Sequence, residues 1–267
     1  MEFKDYTTIL VDIKDRIATI TFNRPESANA YTPATNLEMR DALDSLDEND
    51  NVGCIVITGK GKHFSAGGDI YRMKRQIEDK TYMPKSGIVN DGMLAYAIRR
   101  CGKPIIAMIN GAAAGAGASI AVACDFRVMN PRSKMIMSFV NMGLSGDTGS
   151  ILNLYKLVGM AKVNHMVLLG EKMYGTEAAE LGIAYLAEEG KLEKVTYELA
   201  ARLAAMPSYA VKRIKQNLLQ TVYADLPHLA FLEADAMWDC ARTHDFCEAV
   251  DAFIEKRDPQ FNGRGVQ

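Results

Sequence analysis

An α/β domain with an all-helical C-terminal region is the fold class this sequence predicts, on three observations. Apolar runs of strand character alternate with helical patterns over about 190 residues. Two stretches of small residues, His63-Phe64-Ser65-Ala66-Gly67-Gly68-Asp69 and Asn110-Gly111-Ala112-Ala113-Ala114-Gly115-Ala116-Gly117-Ala118-Ser119, fall where a buried strand should end and a helix begin. From about residue 191 onward the pattern is helical throughout, broken at Pro207 and Pro227.

Taken in order, Ile9-Val11-Ile13 and Ala18-Ile20-Phe22 alternate around Lys14-Asp15-Arg16, a hairpin pattern. Thr32 can cap a helix with Pro33 in its first turn and Leu37, Leu43 and Leu46 on its inner face. Cys54 to Thr58 is a short continuous apolar run, expected to be a strand buried on both faces. Residues 70–90 are charged and weakly patterned, predicting a helix that leads into a mobile segment. A helix near 90–101 then precedes the strand Ile105–Ile109. Gly111 to Cys124 reads as a buried helix, followed by strands at Phe126–Met129 and Met135–Val140. Gly143 to Thr148 reads as a loop opening a helix over 149–157, and Thr176 as the cap of a short helix stopped by Gly182.

Composition narrows the function classes. With 48% hydrophobic and 24% charged residues the chain suits a water-soluble globular protein, and a net charge of −2 gives no reason to expect nucleic acid or an anionic membrane as partner. Met1 to Leu10 has no basic stretch leading into a long apolar one, so no signal peptide is expected. No run reaches the roughly 18 apolar residues of a membrane span. The five cysteines (Cys54, Cys101, Cys124, Cys240 and Cys247) include no CxxC and no clustering with histidine. That usage predicts a reducing, cytoplasmic setting without a metal site. The histidines (His63, His165, His228 and His244) show no ligand spacing either.

Chemistry concentrates at the two small-residue stretches. At a strand-to-helix junction the first N–H groups lack intrahelical partners and the helix dipole adds positive potential, so an oxyanion can be held there. Glycine and alanine also simply allow a helix to pack closely on a sheet. Gly115-Ala116-Gly117 lacks the third glycine of a dinucleotide fingerprint.

Phe64-Ser65-Ala66-Gly67-Gly68-Asp69, Lys103 to Gly111, Ala123-Cys124-Asp125 and the tail Ala252 to Arg257 together resemble the crotonase (enoyl-CoA hydratase/isomerase) superfamily, from about residue 5 to 262. The resemblance implies a crotonase-like spiral of repeated ββα units over residues 1–200. It assigns residues 201–267 to a helical region used for trimerisation, in a homotrimer or a dimer of trimers. It implies an acyl-CoA thioester substrate, with coenzyme A entering as part of the substrate and no further cofactor. It places the oxyanion-hole amides on Gly68 and Ala116. Ala66, Gly67, Asp69, Phe253 and Lys256 fall at coenzyme A contacts, Lys256 with the charge to meet a phosphate. Phe253 can equally be a packing residue.

The acid/base groups depart from the hydratase pattern. A gap-free alignment puts the two hydratase glutamates at Ser119 and Phe139, neither of which can act as a carboxylate base. Both are expected at the acyl pocket, although packing as a small helix residue is the favoured reading of Ser119; Met135, Met137 and Phe139 form either pocket wall or core. Adding water across a double bond needs an acid and a base, so simple hydration is disfavoured. Asp147 in Gly143-Leu144-Ser145-Gly146-Asp147-Thr148-Gly149 stands where isomerase members, among them epoxyphenylacetyl-CoA isomerase-like ones, carry an aspartate. An aspartate ahead of Thr-Gly-Ser is also a good N-cap, and capping lowers its pKa. A dehalogenase-type reaction is disfavoured because its histidine position is Gly92, beside Asp91, and its tryptophan position is Phe139. The expected activity is therefore enoyl-CoA isomerisation with Asp147 as single acid/base. The alternatives are a hydratase or other crotonase reaction, or a non-catalytic acyl-CoA-binding protein.

Overall fold

The computed structural model describes residues 5–263 and 265. Strands β1 (Ile9–Lys14) and β2 (Ile17–Phe22) form the expected hairpin. Its two turn residues, Asp15 and Arg16, both have positive φ (51° and 63°), the geometry whose twist matches a two-residue hairpin. Helix α1 (Pro33–Asp47) starts at Thr32, whose Oγ1 accepts from Thr35 N. Its inner face is Met39, Ala42, Leu43 and Leu46, whereas Leu37 is 59% exposed, contrary to the sequence reading. Leu37 lies about 120° from Leu43 and about 180° from Leu46 around the helix, so the helix that buries those two turns Leu37 outward.

Strand β3 (Cys54–Gly59) is buried at every position. After it come α2 (Ile70–Glu78) and α3 (Lys85–Arg100), so the helix expected near 90 already opens at Lys85, behind Pro84. Strand β4 (Ile105–Ile109) leads into β5 (Ala112–Ala114) and α4 (Ala116–Ala123). The small-residue run is thus half strand and half helix, because Gly115 (φ 48°, ψ −122°) takes a conformation that ends one and admits the other. Strand β6 (Phe126–Met129) precedes β7 (Lys134–Ile136), which stops short of the predicted Val140 and gives way to a 3₁₀ turn at Val140–Met142.

Helix α5 (Ser150–Leu168) is interrupted at Gly159 (φ 72°), close to the predicted end at 157. Strand β8 (Lys172–Tyr174), α6 (Gly175–Glu180) and β9 (Tyr185–Leu186) follow. Thr176 lies inside α6 instead of capping it, and Gly182 (φ 72°) ends that turn as expected. The helical tail is α7 (Leu192–Ala204), α8 (Ser208–Thr221), α9 (Leu226–Cys240) and α10 (His244–Glu255). Pro207 and Pro227 both mark breaks as expected: Pro207 is the cap residue before α8, and Pro227 sits in the first turn of α9, where a missing N–H costs nothing. Among the described residues no helix is long and apolar enough to cross a membrane.

The large sheet runs β1-β2-β3-β4-β6-β9, parallel apart from the hairpin, and the small sheet runs β5-β7-β8. One face of the large sheet packs through Ile20, Ile55, Ile57 and Ile105 on α1, α3 and α4; the other packs through Val56, Ile106 and Val128 on Leu199 and Ala200 of α7. Two isolated bridges, Tyr31 to Gly68 and Ser65 to Ala113, extend the small sheet's strip. Each turn of chain therefore lays one strand in the large sheet and a short extended piece in the strip before entering a helix. This is the ββα spiral the motifs imply. Neighbouring turns approach backbone to backbone: a Cβ on Gly117 would lie 2.7 Å from Ser65 Cβ and 2.8 Å from Ser65 O.

Leu43→Ala, at a side chain 1% exposed, lowers stability by about 2–5 kcal/mol. Leu37→Ala changes it by no more than about 0.5 kcal/mol. Urea titrations of both variants separate the two faces of α1. In the same assay Gly117→Ala costs about 1–3 kcal/mol through overpacking against Ser65.

Candidate active site

Hydrogen bonds from two asparagines shape the first junction. Asn29 Nδ2 donates to Lys60 O (3.0 Å) and His63 O (2.8 Å), and Asn110 Nδ2 donates to Gly59 O and Gly61 O (both 2.8 Å). These bonds curl residues 59–63 over the end of β3, with His63 exposed on the outside. Phe64 then enters the core edge-on to Phe22, at 5.4 Å between ring centroids. Ser65 N donates to Ala112 O (3.2 Å) and Ala114 N to Ser65 O (2.9 Å), so main-chain bonds join the two junctions. Ser65 Oγ donates to Asn29 O and accepts from Gly67 N, which steers Gly67 into its positive φ of 85°.

Gly68 and Ala116 both line a cavity of about 710 Å³. Ala116 is the first residue of α4, and Gly68 lies just ahead of Asp69, the N-cap of α2. Neither amide donates a main-chain hydrogen bond among the described residues, so both N–H groups are available at helix starts, where the dipole adds to their potential. The remaining wall is largely apolar, including Met73, Ile88, Phe139, Leu144 and Phe246, a common composition for a small-molecule site.

The structure brings together most of the residues singled out in the sequence. Ala66, Gly68, Asp69, Ala116, Phe139, Asp147 and Phe253 all line this one cavity. Gly67 does not line it; its role is the turn. Asp69 caps α2, accepting from Arg72 N (3.0 Å), and accepts from Arg24 Nη2 (3.2 Å). Burial alone would raise its pKa, but these bonds outweigh it and hold the carboxyl below the usual range. Phe253 is 61% exposed at the cavity, where an apolar ring can meet a ligand.

Two expectations are corrected. Ser119 is away from the cavity, fully buried in α4, with Oγ donating to Gly115 O (3.1 Å). One turn further along α4 than the opening, its side chain satisfies the backbone and fills space. Lys256 does not line the cavity either: it ends α10 in the left-handed conformation (φ 56°), and the next residue, Arg257, reaches the cavity instead. Arg257 is held there by Glu248 and Glu255.

Asp147 faces the cavity from a tightly wound loop. Gly146, Thr148 and Gly149 all have positive φ (97°, 58° and 63°), an uncommon state for a β-branched threonine. Its carboxylate does not cap α5; the cap residue is Gly149, and Ser150 N bonds only Asp147's main-chain oxygen. The side chain accepts from Thr148 Oγ1 (2.9 Å). Burial nevertheless raises its pKa to about 6, the opposite of what capping would do.

Three polar residues around Asp147 were not recognised in the sequence as functional. Asp91 of α3 lines the same cavity. Burial pushes its carboxyl up to about 7, with Asp147's charge adding to the effect while Arg72 and Asn36 oppose it. Arg72 of α2 also lines the cavity, its pKa lowered by burial against the pull of Asp91 and Asp69. Glu233 of α9 accepts from Gly149 N (2.9 Å) and so ties the Asp147 loop to the C-terminal helices. Burial takes Glu233 up to about 8, with the Gly149 bond opposing and Asp147 adding. The usable signal for Asp91 was its spacing: a lone charge on the apolar stripe Ile88, Asp91, Ala95, Ile98.

Comparison with known proteins agrees with this geometry. A family model for enoyl-CoA hydratase/isomerase matches residues 12–264. The chain is 34% identical to a trans-2-decenoyl-[acyl-carrier-protein] isomerase from Streptococcus mutans, over 97% of this chain and 100% of the relative. It is 30% identical to a 1,2-epoxyphenylacetyl-CoA isomerase from Escherichia coli, over 96% and 98%. An enoyl-CoA hydratase structure from Mycobacterium avium subsp. paratuberculosis superposes with a TM-score of 0.86 at 26% identity, covering 96% of this chain and 99% of that one. The chain belongs to the enoyl-CoA hydratase/isomerase family of the crotonase superfamily.

Proposed function

We propose that this protein is an enoyl-CoA isomerase that moves a double bond next to a thioester through an enolate. The observation that carries the reading is the pairing of one carboxylate, Asp147, with the Gly68 and Ala116 amides at a single cavity whose hydratase carboxylate position is filled by Phe139. Asp147 takes a proton from C2 of a 3-enoyl thioester. The electron pair moves toward the carbonyl, and the oxygen that gains charge is met by the two amide N–H groups, which need no reorganisation to receive it. Protonation at C4 then leaves the 2-enoyl product. A single carboxylate can in principle take and return the proton, so a hydratase pair is not required. A pKa near 6 suits a base at neutral pH: most molecules carry the carboxylate, yet it is more basic than an exposed one.

Coenzyme A enters with the substrate, with Ala66, Asp69 and Phe253 on its path, and the reading needs no other cofactor. Exposed Ile214 and Leu218 on α8 and Phe231 and Leu232 on α9 support assembly of this C-terminal region into a trimer.

The decisive measurement follows 3-enoyl-CoA and 2-enoyl-CoA in D2O by NMR and mass spectrometry. The expected result is double-bond migration with deuterium wash-in at C2, both reduced roughly 10²–10⁴-fold in Asp147→Asn. Hydration to 3-hydroxyacyl-CoA overturns the reading in favour of a hydratase, and binding without exchange favours a non-catalytic protein. In the wild type kcat/KM rises with pH through about 6 as Asp147 becomes a carboxylate. Asp147→Asn also raises Tm at pH 7. A carboxyl whose folded pKa lies above its unfolded value loses stability as pH rises, so the gain disappears below about pH 4, where the wild-type group is neutral in both states.

A further inference from the structure

The isomerisation proposed above leaves open which group delivers the proton to C4. Proton removal at C2 and delivery at C4 are separate transfers, and besides Asp147 the cavity wall carries a second, buried carboxyl. Asp91 is 7% exposed, and its Oδ1 is buried without a hydrogen-bond partner, an unusual and costly state for a carboxyl oxygen. It faces the cavity from α3, whereas Asp147 faces it from the loop before α5. Asn36 Nδ2 donates to Tyr31 Oη (2.6 Å) and to the Asn90 and Asp91 main-chain oxygens, and it also favours the charged Asp91 carboxyl while leaving Oδ1 without a partner. Around the Asp91 carboxyl stand Tyr31 and Asn36 from the α1 side, Arg72 from α2 and Asp147 itself.

We propose that Asp91 is a second catalytic residue, the acid that protonates C4 after Asp147 has removed the C2 proton. The inference rests on the isomerase reading and supplies its second half. In the competent form the two carboxyls share one proton, because two like charges facing one largely apolar cavity oppose each other. That proton is on Asp91, whose carboxyl is buried with Oδ1 lacking a hydrogen-bond partner, an environment that favours the neutral form. The C2–H bond breaks toward Asp147, and its electron pair enters the dienolate. The Asp91 O–H bond then breaks as the C4–H bond forms, the double bond settles between C2 and C3, and the carbonyl is restored. Asp147 is now protonated and Asp91 is a carboxylate, whose new charge Arg72 is placed to meet. Transfer of one proton from Asp147 to Asp91 restores the competent form, with nothing gained or lost overall.

The test uses 3-hexenoyl-CoA and 3-decenoyl-CoA with Asp91→Asn, a near-isosteric variant, beside Asp147→Asn. Asp91→Asn is expected to retain deuterium wash-in at C2 while isomerisation falls at least 10²-fold, so exchange and migration uncouple. Retained exchange also shows that the variant is folded and binds substrate. Asp91→Asn isomerising within threefold of wild type overturns the proposal, as does parallel loss of both reactions in a variant with wild-type Tm. A second measurement needs no variant: one turnover of 2-deuterated substrate by the wild type in H2O. No deuterium is expected at C4 of the product; deuterium carried from C2 to C4 means that Asp147 returns its own proton, which overturns the role of Asp91. If instead Asp147→Asn leaves C2 exchange intact, the isomerase reading itself fails, an outcome distinct from each of these.

Discussion

Two main-chain hydrogen bonds between Ser65 and the Ala112–Ala114 strand hold this site in register. Through them the first junction lies directly against the second, close enough that residue 117 has no room for a Cβ and Gly67 and Gly115 must adopt conformations foreign to most residues. The Gly68 and Ala116 amides inherit their positions from this contact. Their donors are backbone groups at the ends of packed elements, so they cannot swing away as side chains can. Donors built this way are rigid, and they are held by the same packing that holds the sheet strip together.

The buried carboxyls are built on a different plan. Asp91, Asp147 and Glu233 come from three separate elements, and burial raises the pKa of each. None stabilises the fold in its charged form. The two amides belong to the backbone scaffold, whereas the carboxyls are side chains set around it. Relatives of similar identity are named as isomerases and as a probable hydratase, in keeping with a fold that can carry more than one chemistry.

Much of the architecture was legible because it depends on local patterns. The hairpin at Asp15-Arg16, the doubly buried β3 and the strand-to-helix junctions are each written in short stretches of residues. Errors arose where a long-range contact decides. Leu37 is apolar but falls off the buried stripe, and β7 ends early because the chain turns at Phe139. The site followed the same rule. Gly68, Ala116 and Asp147 lie in recognisable motifs, whereas Asp91 is some 56 positions from Asp147 and meets it only across the cavity. Lys256 gave way to its neighbour Arg257 because the left-handed end of α10 rotates the chain by a residue that no pattern announces.

The bond from Gly149 N to Glu233 bears on the order in which a new chain becomes an enzyme. The sheet and both amides belong to the portion synthesised first, and α9 is among the last segments to leave the ribosome. Until Glu233 arrives, the loop bearing Asp147 lacks the clasp that holds it against the cavity. A nascent or C-terminally clipped chain lacks that clasp and, with it, the stretch of cavity wall that α9 and α10 supply through Met237, Phe246 and Phe253.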